Sequence, residues 1–268
     1  MILTLSAGWG LTTAMGAALA YAVLALAARR LSQSAARVVM FLAWLLHALA
    51  LADGLLGEPP RFGFAPALSM TVWLVLSVYA IESRLFPQLK ARWALAGLGS
   101  AAVLLALGFP GTSYDRIASP WLPLHWALGL ASYGLFAAAV VHGWLMNRSE
   151  RSIRSASQTD TGVPLMTLER LTFRFVQAGF VLLTATLVVG WLFAETLYGA
   201  GPGLAWVWNH KTVFSVLAWL TFASLLAGRA RLGWRGRQAV RLLYLGSGLL
   251  LLSYAGSRFV LEVVLKRV

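Results

Sequence analysis

The sequence predicts an all-α, polytopic integral membrane protein of about eight transmembrane helices, with both termini on the outer, periplasmic side. Three observations predict it. The 268 residues are 59% hydrophobic and 12% charged, with a mean hydropathy of +0.75, and so few polar groups cannot cover a soluble domain of this length. The apolar residues come in continuous runs such as Phe180–Phe193. Roughly 20 such residues let a helix cross the hydrocarbon core with its backbone paired internally, whereas a membrane β-barrel would alternate polar and apolar positions. The third observation is the uneven placing of Lys and Arg among the connections.

The first span, Trp9–Ala28, follows Met1–Gly8, which lacks the basic residues of a cleavable signal, and precedes Arg29 and Arg30; it is expected to be retained as a helix. The second, Arg37–Leu56, stops before Pro59-Pro60, and the third, Phe64–Ile81, before Pro87. The fourth, Trp93–Phe109, is short and glycine-rich and ends at Pro110-Gly111. Pro120 precedes the fifth, Leu124–Met146. The longest connection, Asn147–Thr172, is rich in Ser, Thr and Arg and is expected to be flexible. The sixth span, Phe173–Ala194, is separated by Gly199–Gly203 and its Pro202 from the seventh, His210–Ala227, and Ala239–Val264 is the eighth. With no internal repeat and no second boundary, residues 1–268 read as a single transmembrane domain.

Orientation follows from the basic residues of the short loops. One set of connections holds Arg29, Arg30 and Arg37; Arg84, Lys90 and Arg92; Arg148, Arg151, Arg154, Arg170 and Arg174; and Arg229, Arg231, Arg235, Arg237 and Arg241. These are sixteen of the 22 Lys and Arg residues. That side is expected to be cytoplasmic, and an even number of spans then puts both termini outside. The net charge of +13 and pI of 11.2 thus report topology, and nucleic acid is not expected as a partner. With no Cys, the chain has no disulfide, no thiol chemistry and no CxxCH site for covalent haem.

Polar groups are few, which narrows the search for chemistry. His125 opens the fifth span, and Trp206-Val207-Trp208-Asn209-His210-Lys211 leads into the seventh at the same expected outer boundary. Two neutral imidazoles there suit the axial positions of a haem iron. Trp206 and Trp208 offer flat apolar faces, and Lys211 or Arg116 a partner for propionates. The plainer reading competes: an interfacial aromatic belt accounts for most of the 12 tryptophans, and an interfacial histidine is more often solvated than ligating. His47, at mid-span, admits two readings, a neutral packing histidine bonded to a neighbouring helix or part of a haem or proton path. His142 lies about 25 Å along the helix from His125 and is expected at the inner boundary. Gly129 and Ser132 suit close helix packing. Asp53, Glu58 and Glu195 read as loop charges at the outer boundary. The chain carries no GxxxxGK[ST], HExxH or GxSxG motif, and no catalytic residue or enzymatic activity is expected.

The segment Trp206–Thr212 with the following helix Val213–Ala227 resembles the cytochrome c assembly family, the CcsA-, CcmC- and HemX-type membrane proteins with a tryptophan-rich periplasmic segment. Leu124–Tyr133 is similar to the family's helix that opens on an outward histidine and runs into a Ser-Tyr pair. Leu252–Phe259 resembles the last helix of the small eight-span, YpjD-like members. The resemblance is best over 121–268. It implies haem b handled at the outer face of the bacterial inner membrane, with His125 matching the family's first outward histidine and Trp206 and Trp208 its tryptophan-rich segment. A second iron ligand would then be His210 or a histidine of another protein. The partners implied are lipid, haem and other membrane proteins of haem or cytochrome c assembly. Two departures matter. The family's Trp-Asp pair reads Trp208-Asn209 here, and Leu252 stands where full CcsA proteins carry a second outward histidine. The alternative is an accessory or regulatory member that no longer binds haem and works through helix contacts.

Overall fold

The computed structural model describes residues 3–27, 30–57, 59–85, 92–113, 121–154, 164–193 and 209–265. Among them are eight long helices, α1 (Leu3–Leu26), α2 (Gln33–Leu56), α3 (Phe64–Leu85), α4 (Arg92–Gly108), α5 (Trp121–Arg154), α6 (Leu165–Leu192), α7 (His210–Leu232) and α8 (Gly236–Val264). Seven are long and apolar enough to cross a membrane, and the eighth, α4, is the short glycine-containing one. Large apolar side chains such as Leu19, Leu49, Val181 and Leu245 remain exposed. Such faces are costly in water and suit lipid.

The helices group into two compact units, 1–116 with 261–268, and 117–260. In the first unit, Ser32 accepts from the Ala35 N–H and so caps α2. α1 packs on α2 and α4, and α3 on α2 and α4. Small residues set the spacing: Ala17 and Ala18 of α1 are buried, and the Ser100 hydroxyl of α4 donates to the Ala18 carbonyl at 2.9 Å. Between α2 and α3, Trp44 and Trp73 stack at 5.0 Å, Trp44 donates to Ser77 and Trp73 to the Trp44 carbonyl. Two short strands, β1 (Arg61–Phe62) and β2 (Thr112–Ser113), pair antiparallel, Arg61 opposite Ser113.

The second unit is built around a stacked ring pair, Phe136 of α5 on Phe222 of α7, 3.7 Å apart and almost parallel. Gly179 of α6 and Gly246 of α8 press against these rings, so that a Cβ at either position would come within 3.1 Å of ring carbon. With little hydrophobic drive between helices in lipid, such close backbone approach supplies the contact. α7 ends on Gly233 in the left-handed region (φ 67°), and the Trp234 N–H returns to the Gly228 carbonyl, a glycine-closed helix end. α8 is helical over Gly236–Leu251 and then widens into π turns at Leu252–Gly256 and Val260–Val264.

One sequence expectation is corrected. Asn147–Thr172 is not one long flexible connection, because α5 continues to Arg154 and α6 begins at Leu165. Hydropathy marks where a helix leaves lipid, not where it ends. Polar contacts hold the projecting turns, since Glu150 pairs with Arg237 at 3.5 Å and Glu169 with Arg229.

Candidate functional site

The helix order of the second unit decides which residues share an end. His125, near the start of α5, hydrogen-bonds to the backbone of Thr186, near the end of α6. Glu169, near the start of α6, pairs with Arg229, near the end of α7. α5 and α7 therefore both run against α6, and His125 and His210 lie at the same end, opposite the arginine-rich turns. Gly129, one turn on from His125, lets α5 approach Thr186: a Cβ there would meet the threonine methyl at 3.6 Å.

His210 is the first helical residue of α7 and is exposed. The residue before it, Asn209, accepts from the Thr212 N–H at 3.0 Å and sits 3.3 Å from the Thr212 hydroxyl. It is the N-cap, a task for which Asn and Asp are about equally fit. Lys211 reaches the ring of Tyr254 in α8, its ammonium 6.0 Å from the centroid.

Two Ser-Tyr pairs, one in α5 and one in α8, stitch this region together. The Tyr133 hydroxyl donates to the Leu250 carbonyl and lies 3.0 Å from the Ser253 hydroxyl, while Tyr254 takes Lys211. Sequence reasoning assigned the first pair to packing only. The signal that would have found the contact was the recurrence of Ser-Tyr in the two helices. The π turn begins at Leu252, which is exposed, between the two residues that receive Tyr133.

The remaining expectations fall elsewhere. His47 is 1% exposed, in the first unit. His142, expected near the inner boundary, is buried between helices and lies 5.2 Å from the Phe175 ring. Asp53 closes against Gly10 of α1. Trp206, Trp208, Arg116, Glu58 and Glu195 lie outside the described residues. Among the described residues no group of three or more His, Asp or Glu gathers as a metal-ion site. Haem iron asks only for axial ligands, and the hydrogen bond holding His125 is of the kind that orients a ligating imidazole.

The cytochrome C assembly protein model matches residues 14–265. The chain belongs to the cytochrome c assembly protein family. Among its relatives, the inner membrane protein YpjD of Escherichia coli is 29% identical over 225 residues, covering 82% of this chain and 81% of that protein. A 28.8 kDa protein of Azospirillum brasilense is 32% identical over 76% of each chain. The cytochrome c biogenesis protein CcsA of a Synechococcus strain is 30% identical over 45% of each. No solved structure gives a significant match. This member of the cytochrome c assembly family is a multi-pass protein of the bacterial inner membrane.

Proposed function

We propose that this protein binds haem b at the periplasmic end of its second unit and presents it to other membrane proteins of haem or cytochrome c assembly, without catalysing a reaction. In this reading the whole chain serves as one transmembrane domain. His125 and His210 would hold the iron, Trp206 and Trp208 would offer apolar faces to the porphyrin, and Lys211 would neutralise a propionate. The observation that carries the reading is the shared end of His125 and His210, one imidazole oriented by the Thr186 backbone and the other exposed at the head of a capped helix. Tyr254 supports it by holding Lys211 at that end. Haem here is cargo, and the iron–porphyrin brings the redox chemistry. The protein's part is to orient the ligands and exclude water on the lipid side. Lacking Cys, the chain depends on a partner for any thioether bond.

Protein purified from haem-replete cells should show a Soret band that loses most of its intensity in His125→Ala and weakens in His210→Ala, with the melting temperature as a control for folding. A colourless wild-type protein sinks the proposal. It would favour a second reading, for which Leu252 in place of a histidine is the specific observation: an accessory or regulatory member that does not bind haem and acts on partners through helix contacts on its Gly129 and Ser132 face.

A further inference from the structure

The first unit contains a cavity of about 400 Å³, within the range of small-molecule sites. It is walled by α1–α4, and its mouth is edged by the turns beside β1 and β2. We propose that it binds a neutral, lipid-soluble molecule with an apolar body and a compact carbonyl or hydroxyl head, one oxygen of the head resting on His47. Nothing in the haem reading uses these residues, and the two inferences stand apart.

The polar groups lining the cavity are few and sorted by depth. At the inner end, His47 is 1% and Ser69 also 1% exposed, and the imidazole Nε2 lies 2.8 Å from the Ser69 hydroxyl. The other ring nitrogen, Nδ1, is buried with no hydrogen-bond partner. At the other end stand Asp53 and Arg61, both exposed. Between the levels of His47 and Asp53 α2 rises by roughly 9 Å, and the side chains lining that stretch, such as Leu11, Leu51 and Val103, are aliphatic.

Each feature selects a property of the occupant. Aliphatic walls call for an apolar body. A buried ring nitrogen without a partner is costly, so a head that accepts or donates one hydrogen bond is favoured over plain hydrocarbon. Among the described residues no charged side chain lines the inner end, so a charged head would be buried uncompensated. Propionates at the mouth would meet Asp53 as well as Arg61, so the mouth does not select for an anionic group.

The test uses a decyl-substituted 1,4-benzoquinone as probe, with decanoate and decylammonium as charged comparators. Binding to the full-length protein in detergent is read by tryptophan quenching after subtraction of micelle partition. Wild type should bind the quinone saturably at one site, and the charged analogues about tenfold or more weakly. Loss of one buried hydrogen bond in His47→Leu should weaken binding about tenfold. Ala50→Phe, which fills the wall and leaves His47 and Ser69 untouched, should abolish saturable binding whether or not His47→Leu folds. Non-saturable uptake, equal affinity for the charged analogues, or unchanged binding in Ala50→Phe would overturn the proposal. The Soret band of haem-loaded protein, measured in the same Ala50→Phe sample, should stay unchanged, so failure here is distinguishable from failure of the haem reading.

Discussion

At Asn209 one atom separates this chain from the Trp-Asp pair of the family it belongs to, and the structure says what that atom changes. The side-chain oxygen that an aspartate would use is still present and still accepts the Thr212 N–H. The cap is kept, and a negative charge beside the positive end of α7 is given up. Asn209→Ala should therefore lower unfolding stability by about 1 kcal/mol, while Asn209→Asp should match wild type or exceed it by a few tenths. Melting in detergent at constant pH reads both, and an alanine variant as stable as wild type would show that the cap contributes nothing. The start of this helix at His210 was legible in the sequence, but Asn209 read there only as a lost carboxylate, because the polar His210-Lys211-Thr212 separate it from the first apolar run. For His47 the sequence offered a packing histidine bonded to a neighbouring helix, and the structure shows that bond; its partner, Ser69, was not legible, because the two are 22 positions apart and neither residue type announces the other.

At the scale of the element, spans were legible and helix ends were not. Hydropathy located the eight long helices of the described residues because lipid imposes one length and one polarity on a span, and it missed the projecting turns of α5 and α6 because water imposes neither. The π turns of α8 also left no trace in the sequence pattern. Packing of this helix makes a prediction with two signs. Gly246 lies so close to Phe222 that an added Cβ would meet the ring at 2.8 Å, so Gly246→Ala should destabilise by about 1–3 kcal/mol through overpacking. Gly248, two residues on, has nothing within 4 Å, and Gly248→Ala should stabilise by up to about 1 kcal/mol because alanine is the better helix former. Opposite shifts in melting temperature are the expected result. Parallel shifts would mean that helix propensity alone, and not the Phe136–Phe222 stack, governs α8.

For the whole molecule, the sequence property that remains to be tested is polarity across the membrane. Part of the basic surface is neutralised in the fold, for Arg229 and Arg235 meet Glu169, and Arg237 meets Glu150. The positive-inside rule counts Lys and Arg during insertion and gives little weight to acidic neighbours, so these pairs do not weaken the expected orientation. The absence of Cys from the chain makes the experiment clean, since any cysteine introduced is the only thiol. Ser157→Cys, in the connection after α5, should react with a membrane-impermeant maleimide only when the cytoplasmic face is opened. Gly201→Cys, before α7, should react in intact spheroplasts. The reverse pattern would place His125 and His210 at the cytoplasmic face, and haem presented to the periplasm would then be excluded even if the purified protein were coloured.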